Sequence, residues 1–126
     1  MIPRRTGERE AGMVSAELAT AVPALLLVLV AGVGAVRVGV DQVRCVDAAR
    51  LAARALARGD PEGPARSLAE RAAPAGSTVT VTSAGPEVTV EVSAGREVAG
   101  WRAVTVRGSA TAQREVTGEV TGEGMR

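Results

Sequence analysis

The segment LATAVPALLLVLVAGVGAV, Leu18 to Val36, runs for nineteen residues without a charge. As a helix it would be about 28 Å long, close to the hydrocarbon thickness of a bilayer. The competing reading is a buried core helix. It fits poorly, because Trp101 is the only aromatic residue and the rest of the chain has too little apolar bulk to cover such a segment. The run therefore predicts a membrane-spanning helix over residues 13–36. Arg4, Arg5 and Arg9 on its N-terminal side place that end in the cytoplasm, and everything after the span outside the cell membrane.

Beyond Val36 the helical pattern continues, but its polarity changes. Arg37, Asp41, Arg44, Asp47, Arg50, Arg54 and Arg58 are all the charges before Gly59, at gaps of four, three, three, three, four and four. That spacing gathers them on one side of a helix, with Val40, Val43, Cys45, Ala48, Ala49, Ala52, Ala55 and Leu56 on the other. The alternating signs from Arg37 to Arg50 allow ion pairs along the helix, each worth about 0.2–0.5 kcal/mol. Gly59-Asp60-Pro61 stops it. The expectation is one long helix, spanning over 13–36 and amphipathic over 37–58. In the leader, residues 1–12, Pro3 and Gly7 argue against a regular element.

The remainder reads as a small α+β head over residues 59–112. PARSLAERAA (64–73) predicts a short second helix with Pro64 near its first position and Pro74-Ala75-Gly76 at its end. The period then switches to two. Val79 and Val81 alternate with Thr, and Val88, Val90 and Val92 alternate with Thr89, Glu91 and Ser93. The turn signal Ser83-Ala84-Gly85-Pro86 lies between them, which predicts a hairpin. A third strand would put Val104, Val106, Ala110 and Ala112 on one face, with Gly108 among them. A three-stranded antiparallel meander with one face against helix is the natural assembly. With so few large side chains, such a head is marginal even when well filled. The tail, 113–126, repeats Val-Thr-Gly-Glu and has too little apolar surface to fold alone.

Whole residue types needed for catalysis are missing. Without histidine there is no Ser-His or Cys-His nucleophile pair, and without lysine there is no phosphate loop of the Walker type. Cys45 is single, so it has neither a disulfide partner within the chain nor a companion at metal-ligand spacing. A formal net charge of +1 and the lack of a basic, aromatic-laced patch argue against a nucleic-acid partner. The expectation is no enzyme, no cofactor and no metal.

Glu17 is the anomaly. A carboxylate at the lip of an apolar run is costly unless it is solvated in the headgroup layer or paired. A cut between Gly12 and Met13 would remove every charge of the leader, leave a free ammonium on Met13, and make Glu17 the fifth residue. Within one helix the amine is badly placed for Glu17. Between staggered helices the amine of one subunit can meet Glu17 of its neighbour. Three weaker features accompany it. Pro23 leaves the Ala19 carbonyl without its helical donor and should kink the helix unless neighbours or Thr20 compensate. Ala31, Ala35 and Gly39 form a small-residue ridge suited to close helix contact. Cys45 reads as a small buried residue or as an intersubunit thiol.

The leader, Gly12, Met13-Val14-Ser15-Ala16, Glu17 and an uncharged run containing Pro23 together resemble the class III signal of type IV pilin-like proteins. VRCVDAARLAARALARGD (43–60) and APAGSTVTVT (73–82) resemble actinobacterial members of the TadE-like branch, minor pilins or pseudopilins of the Flp (Tad) pilus machinery. The likeness covers residues 12–82. It implies cleavage by prepilin peptidase after Gly12 and a register-setting role for Glu17. It also implies a pilin-like fold and a non-catalytic part in pilus or secretion-system assembly, in company with other pilin-like subunits, the inner-membrane platform and the lipid bilayer. Two rivals use the same topology. Val33-Gly34-Ala35 satisfies the small-residue rule for signal peptidase, which would release a secreted binding module starting at Val36. An uncleaved single-pass anchor would instead display the head as a sensor or scaffold.

Overall fold

Helix α1 runs from Gly7 to Ala57, fifty-one residues without interruption. The computed structural model describes the backbone over residues 7–98 and 100–114, and side chains over residues 12–97, 100 and 104–114. The helix begins earlier than the leader's composition suggested. Once a long helix exists, adding residues at its end carries no nucleation cost, and Glu8 to Ala11 include no breaker. The helix also passes through Pro23 unbroken. It ends in a Schellman turn, with Gly59 N–H on the Leu56 carbonyl and Asp60 N–H on the Ala55 carbonyl, both 3.1 Å. Gly59 supplies the positive φ of 89° that this turn requires.

Helix α2, Glu62–Ala72, starts two residues before the expected position, with Pro61 at its N-cap. Strands β1 (Thr78–Ala84), β2 (Glu87–Val98) and β3 (Trp101–Gln113) form an antiparallel sheet in the order β1-β2-β3. Ala84 pairs with Glu87, so Gly85-Pro86 is a two-residue turn. This is the pilin-like α+β arrangement: a long helix whose far half carries a second helix and a three-stranded meander. The tail, residues 115–126, lies outside the described residues. Arg114 is still tied to the sheet's far end through its N–H and the Pro86 carbonyl, 2.8 Å.

Period two does its expected work in the sheet. Val79, Val88, Val90, Val92, Ala94 and Val106 are buried, and they meet Cys45, Ala48, Ala49, Ala52, Ala53, Ala55 and Leu56 of α1 with Ala65 and Ala69 of α2. The helix's inner face is thus mostly alanine, which lets the strands lie close. Gly108 takes that to its limit. A Cβ there would stand 2.3 Å from the Val46 nitrogen and 2.4 Å from the Cys45 carbonyl carbon. Only glycine lets β3 cross α1 at that point.

Two expectations about α1 need correction. Val40 and Val43 are exposed because, at about 100° per residue, they lie on the side of α1 away from Cys45 and the sheet, whereas Val38, Asp41 and Gln42 on the near side do meet the head. Ala53 is buried instead. Nor do the charges of α1 pair with one another among the described residues. Asp41 is held by Arg96 of β2 at 2.5 Å, and Arg58 pairs with Asp60 beyond the helix end.

Candidate functional site

Among the described residues there is no group of three or more His, Cys, Asp or Glu placed to hold a metal. The functional features lie along α1 instead. Among the described residues one helix is long and apolar enough to cross a membrane, and no residue of its apolar window is buried by the rest of the chain. Leu25, Leu27 and Val28 are each about 70% exposed, although they are among the most apolar side chains present.

Gly12 and Met13 lie on this uncovered helix, with Met13 74% exposed. Glu17 stands one turn further on, exposed and without an ion-pair partner among the described residues. Thr20 donates to the Glu17 carbonyl at 2.9 Å and lies 3.4 Å from that of Ala16. It does not serve the Ala19 carbonyl that Pro23 leaves without its donor. Ala31, Ala35 and Gly39 are all exposed, so none of the described residues occupies their ridge.

Cys45 is different. It is fully buried beneath the sheet, at the crossing where Gly108 lies against the Cys45–Val46 backbone. Burial pushes its thiol pKa up, the Asp41 charge adds to this, and Arg96 opposes it. A thiol held this way is protonated and inaccessible, so an intersubunit disulfide would require the sheet to lift away.

Three polar contacts that position the head were missed in the sequence. The Arg96–Asp41 pair ties the lower end of β2 to α1. The Gln42 carboxamide exchanges two hydrogen bonds with the Arg107 backbone, donating to its carbonyl at 2.6 Å and accepting from its N–H at 3.1 Å. It thereby behaves as one residue of a fourth strand on the open edge of β3. On the opposite edge, Arg66 of α2 donates to the Val79 carbonyl at 2.7 Å and to Glu62 at 2.9 Å. Apart from Arg66–Glu62 within α2, spacing along one element could not reveal such pairs, since their partners lie 13 to 65 residues away.

With this geometry in hand, one comparison is informative. The chain is similar to the apoptosis inhibitor Rv3655c of Mycobacterium tuberculosis, 56% identical over 63 residues, covering 45% of this chain and 48% of that protein. The chain thus spans about half the length of the curated relative it matches. No protein-family model matches the sequence. No solved structure matches it either. What stands is partial homology to one mycobacterial protein, a long apolar N-terminal helix and a pilin-like head.

Proposed function

We propose that this chain is a non-catalytic, membrane-anchored pilin-like subunit of the TadE-like kind, acting in assembly of a Flp (Tad)-type pilus or a related secretion system. The observation that carries the reading is the continuity of α1. One helix is bare over its apolar half and forms the head's core with its other half, so a force on the membrane segment is transmitted directly to the head. Prepilin peptidase would cut after Gly12 on the cytoplasmic face, which removes the leader and creates the Met13 ammonium. Glu17, exposed and without an ion-pair partner among the described residues, then meets that ammonium on a neighbouring subunit and sets the stagger. The Ala31–Ala35–Gly39 ridge offers a place for close approach.

Intact mass and N-terminal sequencing of the protein from its own cell envelope test this. The expected product begins at Met13. Replacing Gly12 with a bulky residue should stop processing. Glu17→Ala should be cut and inserted normally yet assemble poorly, and wild-type amounts of sheared filaments would refute the register role.

A released module is the second reading. Every buried core residue lies at or beyond Cys45, so a chain starting at Val36 keeps the head's packing whole. The relative's name, an apoptosis inhibitor, suits a protein that leaves its cell. A product beginning at Val36 would establish that reading, and an uncut chain would favour a simple anchor.

A further inference from the structure

Strand β3 climbs α1 in the same direction as the helix. Arg107 sits at Gln42, Gly108 at Cys45 and Val46, and Ala110 to Ala112 beside Arg50, Ala53 and Arg54. The β1–β2 turn therefore points away from the apolar half, and the β2–β3 end points back toward it. The Arg96–Asp41 pair fastens that end to the helix. The result is an overhang above the last turns of the apolar run, where Arg96 and Glu97 line one groove with Leu29, Val30 and Val33. The groove encloses about 730 Å³.

Its walls are divided by chemistry. The lower part is aliphatic and continuous with the uncharged run. The upper part carries Arg37 and Arg44, seven residues apart and so on one face of α1. Asp41 is neutralised by Arg96, and neither Arg37 nor Arg44 is in an ion pair among the described residues. Glu97 is the remaining acid, so the groove keeps an excess of positive charge. Trp101, the chain's only aromatic residue, opens β3 at this end.

We propose that this groove seats one anionic phospholipid of the outer-facing leaflet, with an acyl chain along Leu29, Val30 and Val33 and the phosphate at Arg37 and Arg44. An apolar recess opening on hydrocarbon is filled by lipid tails, and the two unpaired guanidinium groups select the headgroup. The bound lipid would brace the head against the membrane surface and hold the β2–β3 end in place. The inference rests on the anchoring reading above.

The test reconstitutes the full chain in nanodiscs of phosphatidylcholine, alone or mixed with phosphatidylglycerol. Native mass spectrometry counts the retained lipids, and brominated lipids of each headgroup quench the single tryptophan. One phosphatidylglycerol should be retained, and its brominated form should quench more strongly than brominated phosphatidylcholine at equal content. Arg37→Gln with Arg44→Gln, both exposed and outside the core, should weaken the preference about fivefold per arginine. Equal retention of the two lipids, or an unchanged preference in the double variant, overturns the inference. So does efficient disulfide dimerisation of Val33→Cys in dilute bilayers, which would put a second copy in the groove. A chain that fails to co-float with vesicles overturns the anchoring reading itself, whereas one that floats without headgroup preference overturns only the lipid site.

Discussion

The two halves of α1 use side-chain size in opposite ways. In the apolar half the large residues stand bare, Leu27 at 72% exposure and Val36 at 67%. In the far half the covered face is small, with Ala48, Ala49 and Ala52 fully buried. Bulk faces outward where lipid would be the solvent, and smallness faces inward where a sheet must come close. A helix core made of alanine has little area to bury, so its stability depends on how near the strands approach. The contact of Gly108 with the α1 backbone is therefore the key to the head.

The largest effect should come from closing that approach. Gly108→Val would place carbon atoms inside the Cys45–Val46 backbone, and the strand would have to lift from the helix. Overpacking against side chains costs about 1–3 kcal/mol, and backbone offers less room to yield. The head should lose cooperative unfolding in a denaturant titration while the chain still inserts in membranes. A well-folded Gly108→Val head would break the claim that near contact drives its packing. Next comes a paired comparison. Leu56→Ala, in the largest fully buried side chain, should cost about 2–5 kcal/mol of head stability. Leu27→Ala should change it by no more than about 0.5 kcal/mol. Comparable losses at the two sites would mean that the apolar half is packed on protein, and the contrast between halves would fail.

The same contrast explains what was legible in the sequence. The period of three to four from Arg37 to Arg58, the period of two in the valine strands, and the Gly59 and Gly85-Pro86 signals each report a local preference. They located the helix end, the hairpin and the α+β class. Val40 and Val43 stand seven residues before Asp47 and Arg50, so their spacing belongs to the charged face and not to the face of Cys45, Ala48 and Ala52. The ion pairs, by contrast, are set by tertiary contacts that no local spacing reports. Asp41 has arginines three and four residues away on α1, yet it is taken by Arg96, fifty-five residues distant. The need for glycine at 108 likewise arises only from the helix lying beneath it. Of the sites on the apolar half, the chain shows only that Met13, Glu17, Ala31, Ala35 and Gly39 are open. A single chain contains no neighbour to occupy them.

A smaller effect is expected at the strand edge. Gln42→Ala removes both hydrogen bonds to Arg107, and an ordinary hydrogen bond contributes about 1 kcal/mol. Because Arg107 is exposed, water can replace the lost amide, so the cost should be about 1 kcal/mol rather than twice that. Hydrogen exchange at the Arg107 amide should rise more than at its neighbours on β3. Uniform change along the strand would show that Gln42 acts on the whole head and not on its edge.

The smallest effect is also the cleanest to read. With no lysine, tyrosine or histidine in the chain, Cys45 is its only side chain expected to titrate between about pH 8 and 11. Burial and the Asp41 charge raise its pKa in the folded head above the unfolded value of about 8.5. The folded state therefore holds the thiol proton more tightly than the unfolded state does. Its contribution is complete below about pH 8.5 and is lost as the pH rises through the folded pKa. Denaturant midpoints should fall as pH climbs past about 8.5. In Cys45→Ala the same titration should be flat, apart from a uniform offset for the lost sulfur. If the slope survives in the variant, the thiol is not its source. If the wild type shows none, Cys45 is open to solvent and the sheet does not sit on α1 as closely as Gly108 requires.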